Sequence, residues 1–277
     1  TAVTAAENGV KRILILEGTS KIMEKVRISG GGRCNVTNAS WIPNELITNY
    51  PRGGIKLLEA FSRFSTGDVF DWFEKRDLRL KIEGDLRVFP VSNSSLDVIN
   101  CLKQSATSRG VEIRTNFFVQ EILNPPEGGF QVFSKKRNCI FTKNILISTG
   151  GNPSGYKLAK NLGHSIVKPV PSLFTFSIKE PKLRECSGVS IKNTDIEIKV
   201  NNKSYTNRGD ILITHWGFSG PAVLKLSSIA ARDLYSQKYQ CELIINWSYL
   251  DYSCLKEKIN SLRVHNGKLN LMNMRPL

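Results

Sequence analysis

Three consecutive glycines, Gly30-Gly31-Gly32, constrain this 277-residue chain more than any other feature of its sequence. Glycines allow left-handed backbone conformations and let main-chain N–H groups approach an anion closely. Lys25, Arg27 and Arg33 add positive charge around the run. Ser29 precedes the glycines, and donor-rich side chains follow Arg33, namely Cys34, Asn35, Thr37 and Asn38. The segment therefore predicts a phosphate or pyrophosphate cradle, although a flexible loop after a strand is what three glycines alone would favour.

An apolar segment upstream of the glycines ends in an acidic residue. Residues 11–17 read Lys-Arg-Ile-Leu-Ile-Leu-Glu, a pattern typical of a short buried parallel strand. Residues 1–9 are typical of the end of an Ala-rich helix capped by Gly9. In dinucleotide-binding folds an acid at the end of such a strand accepts hydrogen bonds from ribose hydroxyls. Glu17 is the candidate for that role, and an exposed strand-end carboxylate is the alternative.

The G-x-G-x-x-G turn that grips the pyrophosphate in such folds does not occur in the sequence. If residues 1–9 are the remainder of a first helix, that turn would precede Thr1. The residues before Leu277 resemble an unfinished element. We therefore expect the sequence to be a fragment of a longer protein.

Apolar residues at helical spacing predict two amphipathic helices within residues 52–76. The segment Ser65-Thr66-Gly67-Asp68 separates them, and Thr66 or Asp68 is expected to cap the second helix. A third helix is expected after Asn93-Ser94-Ser95 and a fourth over residues 154–162.

Short strands are predicted between these helices, around a turn in residues 79–91 and as an antiparallel meander over residues 111–141. An apolar strand is predicted over residues 144–148. It breaks into Thr149-Gly150-Gly151, which would present bare backbone at the carboxyl edge of a sheet, where α/β folds bind nucleotides.

The pattern changes to alternating, β-rich sequence near Pro169. Strands are predicted over residues 188–200, 211–214 and 241–246, followed by a basic helix from Ser253. We therefore expect two domains, residues 1–168 and residues 169–277.

The chain has 39 Lys and Arg against 24 Asp and Glu, a formal charge of +15, which attracts polyanions. The cations are spread along the chain, so a solvated basic surface is favoured over a nucleic-acid site. The six cysteines include no C-x-x-C pair, so neither a metal site nor a disulfide framework is predicted. No apolar run approaches the roughly 20 residues of a membrane span, so a cytoplasmic protein with no membrane partner is expected.

Four separated motifs together resemble the BaiN-like (YhiN-like) flavoproteins, FAD- and NAD(P)-dependent oxidoreductases that include aminoacetone-oxidase-type enzymes. The resemblance covers essentially the whole chain, in the order of these segments: Lys25 with Ile28–Asn38, Arg87–Ser92, Thr149–Gly151 with Gly155–Ala159, and Thr214–Ala222.

The resemblance implies an α/β fold: a glutathione-reductase-like FAD domain of the Rossmann type with an inserted β-barrel-like and helical domain. It implies FAD as cofactor, with the site formed by Glu17, Lys25, Ser29, Gly30, Gly31, Gly32, Arg33, Cys34, Asn35, Val119, Thr149, Gly150 and Gly151. Glu17 would bind the ribose, Val119 would contact adenine through its backbone, and the glycine segment would lie along pyrophosphate and flavin. Met23 and Glu24 stand where many members have Gly-Arg, and the segment 151–155 is shorter than in the family, so no relative's substrate carries over directly.

A flavoprotein leaves hydride chemistry to its cofactor and supplies orientation and exclusion of water. The expected function is hydride transfer between a small-molecule substrate and FAD, with NAD(P)H as reductant. His215, in a predicted lid over residues 215–221, is a candidate proton donor or acceptor because imidazole titrates near neutrality, and a turn histidine bonded to the backbone is the alternative. A basic nucleic-acid-binding or RNA-modifying protein is the rival function.

Overall fold

The computed structural model describes residues 1–179, 181–248 and 250–266. The chain forms two compact units, unit 1 over Thr1–Val167 and unit 2 over Lys168–Leu277.

Unit 1 contains seven helices and eight strands within its described residues. The helices are α1 (Ala2–Glu7), α2 (Glu24–Ile28), α3 (Pro43–Leu46), α4 (Gly54–Arg63), α5 (Thr66–Glu74), α6 (Ser95–Thr107) and α7 (Pro153–Asn161). The strands are β1 (Leu14–Leu16), β2 (Thr37–Asn38), β3 (Leu80–Ile82), β4 (Arg87–Pro90), β5 (Glu112–Arg114), β6 (Val119–Leu123), β7 (Phe130–Ser134) and β8 (Cys139–Thr142).

The strands of unit 1 form three small sheets. β1 pairs in parallel with β5, with Leu14 opposite Glu112. The other two sheets are antiparallel, with strand orders β2-β4-β3 and β6-β7-β8. The predicted strand before Glu17 is therefore confirmed, and so is the predicted meander from β6 to β8. The meander was wrong for its first strand, because β5 pairs in parallel with β1 instead. The core is divided accordingly into three clusters, the largest built around Val88, Val98 and Phe73.

Helix ends in unit 1 follow local sequence. After α1 the chain turns at Gly9, whose φ is +88°, with Gly9 N–H donating to Ala6 O and Val10 N–H to Ala5 O. The predicted caps of α5 were wrong: Ser65 is the N-cap. Its Oγ accepts from Asp68 N–H at 3.2 Å, and Asp68 Oδ2 accepts from Ser65 N–H at 2.6 Å. This reciprocal capping box uses both residues, so Asp68 lies inside the helix.

The strand predicted over residues 144–148 was also wrong, because that segment forms no ladder within the part of the chain described. Ile145 and Ile147 still point inwards and pack with Leu16, Ile122 and Val132. The apolar composition of this segment therefore reflects side chains that pack against the core. A strand also needs a neighbouring backbone to pair with, which the pattern does not report.

Unit 2 is built on one antiparallel five-stranded sheet, of order β13-β10-β11-β12-β9. Its elements are β9 (Phe176–Ser177), α8 (Pro181–Glu185), β10 (Ser190–Val200), β11 (Lys203–Thr214), β12 (Gly217–Ser219), α9 (Pro221–Ile229), α10 (Ala231–Ser236), β13 (Glu242–Asn246) and α11 (Tyr252–Asn266). Alternate residues of β10, including Ile196 and Ile198, are buried. They join Ile211, Val223 and Leu226 in a single core.

The predicted lid over residues 215–221 was wrong in part. Gly217–Ser219 is strand β12, paired with β11 on one side and β9 on the other. Thr214 makes the intervening turn tight, because its Oγ1 donates to Gly217 O at 3.0 Å and accepts from Gly217 N–H at 3.2 Å. Two ladders hold this segment in the sheet, so it is not a free loop.

Among the described residues, no helix has both the length and the apolar character to cross a membrane.

Candidate functional site

The glycine segment forms a tight exposed turn at the end of α2. Ser29–Gly32 is a tight turn in which Gly30, Gly31 and Gly32 have φ values of +56°, +69° and +87°. These are left-handed conformations, which glycine adopts without the strain a side chain would cause. A Cβ atom on Gly31 or Gly32 would meet nothing within 4 Å. The backbone of these two residues is therefore open to a ligand.

The base of the turn is fixed. Cys34 N–H donates to Ser29 O at 2.9 Å, and Ser29 Oγ donates to Val26 O at 2.8 Å. Cys34 is buried and has a φ of +61°, unusual for a residue with a side chain. Asn35 Oδ1 accepts from Val88 N–H at 3.3 Å. These bonds tie both ends of the turn to α2 and β4.

Arg33 does not extend freely from the turn. Its Nη2 donates to Glu83, its Nε donates to Asn93 Oδ1 at 3.0 Å, and its guanidinium carbon lies 3.9 Å from the centre of the Phe89 ring. About one third of its side chain is exposed. The structure thus gives Arg33 partners within the protein.

Lys25 links α2 to the Thr149–Gly151 segment, which lies far away in the sequence. Lys25 Nζ donates to Thr149 O at 3.4 Å across a separation of 124 residues. A Cβ on Gly150 would lie 2.7 Å from that Nζ, and a Cβ on Gly155 would lie 1.8 Å from Thr149 Oγ1. The Thr149–Gly151 turn is therefore shaped by the absence of side chains and sits beside a cation.

Glu17 and Val119 lie in neighbouring segments. Glu17 follows β1, and its backbone O accepts from Phe117 N–H at 2.9 Å. Its carboxylate accepts from Thr19 N–H at 2.8 Å and Thr19 Oγ1 at 2.9 Å, both at Oε1. A Cβ on Gly18 would lie 3.1 Å from Phe118 Cδ2. The carboxylate thus stands at the carboxyl end of a parallel strand, beside the start of β6.

His215 belongs to unit 2, whereas the other candidate residues belong to unit 1. It lies exposed in the turn between β11 and β12, with its ring centroid 4.1 Å from that of Trp216 in an edge-to-face contact.

Sulfur and metal chemistry find little support among the described residues. No group of three or more potential metal-ligating side chains occurs there. Burial raises the pKa of the Cys101 thiol and that of Cys241. A thiol with a raised pKa is protonated at neutral pH and is a poor nucleophile.

Four further residues support the glycine turn and were not predicted as site residues, namely Glu83, Phe89, Asn93 and Ser95. Ser95 Oγ donates to Arg27 O at 2.7 Å, joining α6 to α2. Phe89 is fully buried. Phe89 lies in Arg87–Ser92, a segment that resembles the family but for which no role was predicted. That motif is the sequence feature that could have indicated its importance.

These features define a class: an α/β protein with glycine turns and an acid at the end of a parallel strand, an arrangement typical of nucleotide-binding folds. Two family models match the chain, the HI0933-like protein Rossmann domain over residues 1–220 and the HI0933-like protein barrel and H2TH domain over residues 170–275. The chain belongs to the HI0933-like family, which is the BaiN- and YhiN-like flavoprotein family, and the predicted resemblance and fold class are confirmed.

Similar proteins include the 3-dehydro-bile acid delta(4,6)-reductase of Clostridium scindens, 26% identical over 86% of this chain and 59% of that protein. The ribosomal RNA dihydrouridine synthases of Haemophilus influenzae and Escherichia coli are each 28% identical over 79% of this chain and 55% of theirs. The chain thus spans less than three fifths of the length of these curated relatives. Among solved structures, the open conformation of a flavocytochrome c3 fumarate reductase matches with a TM-score of 0.42 and 17% identity, over 68% of this chain and 48% of that one.

Proposed function

We propose that the protein containing this chain is an FAD-dependent oxidoreductase that reduces a carbon–carbon double bond of a small-molecule substrate, with NAD(P)H as reductant. The observation that carries the cofactor assignment is the bond from Lys25 to Thr149, which brings a cation from the helix before the Gly30–Gly32 turn to the Thr149–Gly151 turn. The bile acid reductase and the dihydrouridine synthases both have names that describe hydrogenation of a double bond, which supports the reaction class.

The residues present fit FAD. Gly31 and Gly32 leave space beside an exposed backbone, and Gly150 is a position where a Cβ would fill the space next to Lys25 Nζ. An ammonium group and unobstructed N–H groups suit a pyrophosphate. Glu17 uses Oε1 for Thr19, so Oε2 is the oxygen we assign to a ribose hydroxyl.

The chain's own residues would bind and orient the cofactor in this proposal. Lys25 and the backbone of Ser29–Gly32 and Thr149–Gly151 would hold the pyrophosphate and flavin, and the backbone of Val119 would hold the adenine. Bound FAD would supply two-electron hydride chemistry. His215 is proposed to hold the proton that completes the reduction of the substrate.

The cofactor assignment is tested with Lys25→Met in the full-length protein. We expect the wild type to carry flavin absorbance and the variant to bind FAD about tenfold or more weakly, since a charge-assisted bond contributes roughly 1.5–3 kcal/mol. Lys103→Met, at an exposed position of α6, is the matched control and should leave the affinity unchanged. A colourless wild type that does not take up added FAD would refute the assignment.

A second candidate substrate, uridine in RNA, is favoured by the charge of +15 and by the names of two relatives. It predicts RNA binding that weakens steeply with salt and a loss of dihydrouridine from ribosomal RNA when the gene is deleted. Reduction of an unsaturated oxo-steroid by the purified protein, with unchanged ribosomal RNA in the deletion strain, would favour the small-molecule candidate.

A further inference from the structure

The contacts of Arg33 suggest a role different from the phosphate contact that its sequence position predicts. Two of its nitrogens donate to partners 50 and 60 residues away, Glu83 and Asn93. The guanidinium carbon lies over the Phe89 ring, 3.9 Å from its centre. A guanidinium held by a carboxylate, an amide and a ring has its charge balanced and its orientation fixed.

The same ring supports the glycine turn. A Cβ on Gly30 would lie 3.0 Å from Phe89 Cε1 and 2.9 Å from Asn35 N. Gly30 therefore packs closely against Phe89, which is fully buried. Arg33 and Gly30 contact one ring, so a displacement of Arg33 would uncover the surface on which the turn rests.

The partners of Arg33 are themselves fixed. Glu83 N–H donates to Arg87 O, and Glu83 O accepts from Leu86 N–H, both at 2.9 Å, in the hairpin between β3 and β4. Asn93 has a φ of +56°, a conformation that asparagine tolerates better than most residues, and its N–H donates to Pro90 O at 2.9 Å. The carboxylate and the amide are thus presented by ordered backbone.

We propose that Arg33 and Glu83 form a positioning clamp that fixes the Gly30–Gly32 turn for the pyrophosphate of FAD, and that Arg33 is not itself a phosphate ligand. The proposal rests on the FAD assignment above. This proposal and a direct role for Arg33 as a phosphate ligand predict different changes in FAD affinity when the pair between Arg33 and Glu83 is broken. If Arg33 were a ligand, releasing it from Glu83 would leave FAD binding unchanged or tighter, whereas loss of the clamp weakens it.

The test compares Glu83→Gln and Arg33→Lys with Glu59→Gln in the full-length protein. Glu59 also pairs with an arginine of unit 1, but both side chains are 78% exposed. We expect both clamp variants to bind FAD about tenfold more weakly, the change that corresponds to 1.4 kcal/mol, and Glu59→Gln to bind as the wild type does. Lysine keeps the charge but loses the planar fork, so Arg33→Lys separates geometry from charge.

Two further measurements separate positioning from loss of folding. The visible spectrum of the bound flavin is expected to shift in Glu83→Gln, whereas a loss of folded protein would lower its amplitude only. Amide exchange of residues 30–34 without FAD is expected to accelerate in both clamp variants and not in Glu59→Gln.

FAD binding by Glu83→Gln as tight as in the wild type, or tighter, would overturn the clamp. A wild type that binds no FAD would refute the proposed function, and the clamp as a device for that ligand would fall with it. In that case the rate of amide hydrogen exchange at residues 30–34 would still report whether the ion pair between Arg33 and Glu83 fixes the Gly30–Gly32 turn.

Discussion

The two units bury their apolar side chains in different ways. Among the residues that the structure describes, unit 2 has one sheet and one core cluster with twelve buried side chains, whereas unit 1 has three small sheets and three separate clusters. The glycine turns and the acid that we assign to FAD all lie in unit 1. Unit 2 therefore depends on side-chain packing, and the site in unit 1 depends on positions where side chains are absent.

The largest expected effect is at the centre of the unit 2 core. Leu226 is fully buried, and Leu226→Ala should lower the free energy of unfolding by about 4 kcal/mol, against about 2–3 kcal/mol for Leu158→Ala in a small cluster of unit 1. A large core collapses less readily around a cavity. Unfolding in urea, with amide hydrogen exchange as the readout in each unit, measures both changes in the free energy of unfolding.

Leu212→Ala is the control, because Leu212 lies in the same unit and is 36% exposed. It should cost less than about 1 kcal/mol. If Leu226→Ala and Leu158→Ala lowered the free energy of unfolding equally, a continuous core would resist the loss of a side chain no differently from a divided one.

Gly155→Ala tests the dependence of unit 1 on missing side chains. The added Cβ would lie 1.8 Å from Thr149 Oγ1, so Thr149 must move, at a cost of about 1–3 kcal/mol and with weaker FAD binding. Combining it with Thr149→Ala, which removes Oγ1, should restore part of the stability. Thermal unfolding and FAD titration measure the two effects.

Gly84→Ala is the matched control, since a Cβ there would meet nothing within 4 Å. If Gly155→Ala behaved like Gly84→Ala, the close approach at Thr149 would have no energetic weight.

A smaller effect is expected at the start of α5. Ser65→Ala removes one half of the capping box and should cost about 1 kcal/mol at neutral pH. Hydrogen bonds from the Ser65 backbone and hydroxyl hold the pKa of Asp68 below its ordinary value of 3.8. Stabilisation by a carboxylate with a lowered pKa is present above that ordinary value and is lost as the pH falls through the folded-state pKa.

The stability difference between the wild type and Asp68→Asn should therefore shrink on acidification below about pH 3.8. Urea unfolding at a series of pH values gives this difference. A difference that stays constant down to pH 2–3 would show that ionisation of Asp68 does not support the cap.

The smallest effect is expected for Glu59→Gln. Its ion pair with Arg63 is largely exposed, and such pairs contribute about 0.3–0.5 kcal/mol, less at high salt. Denaturation at low and high salt measures this. A loss comparable to that at Ser65 would mean that surface charge stabilises unit 1 more than its local caps do.

Much of the secondary structure of both units could be predicted from sequence. The turn at Gly9, the strand before Glu17 and the start of α6 follow from interactions between residues close in the chain. At the start of α6, Ser94 Oγ accepts from Leu96 N–H at 3.3 Å. The predictions failed where pairing with a distant strand decides the structure. Residues 144–148 form an apolar run that pairs with no described strand, and Gly217–Ser219 pairs with strands on both sides.

The amino-acid sequence alone specifies which residues of the candidate site lack a side chain, which carry charge and where the strand before Glu17 ends. The partners of those residues follow from the fold, which joins Lys25 to Thr149 and Arg33 to Glu83 across 124 and 50 residues. Sequence patterns cannot supply these partners, because propensities and caps act within one helical turn or one strand pair. A side-chain contact between distant residues depends on the whole folded backbone. Lys25 and Arg33, which flank the glycines, therefore have different kinds of partner, a backbone carbonyl and a carboxylate. The sequence does not show this difference, because both residues appear there only as cations.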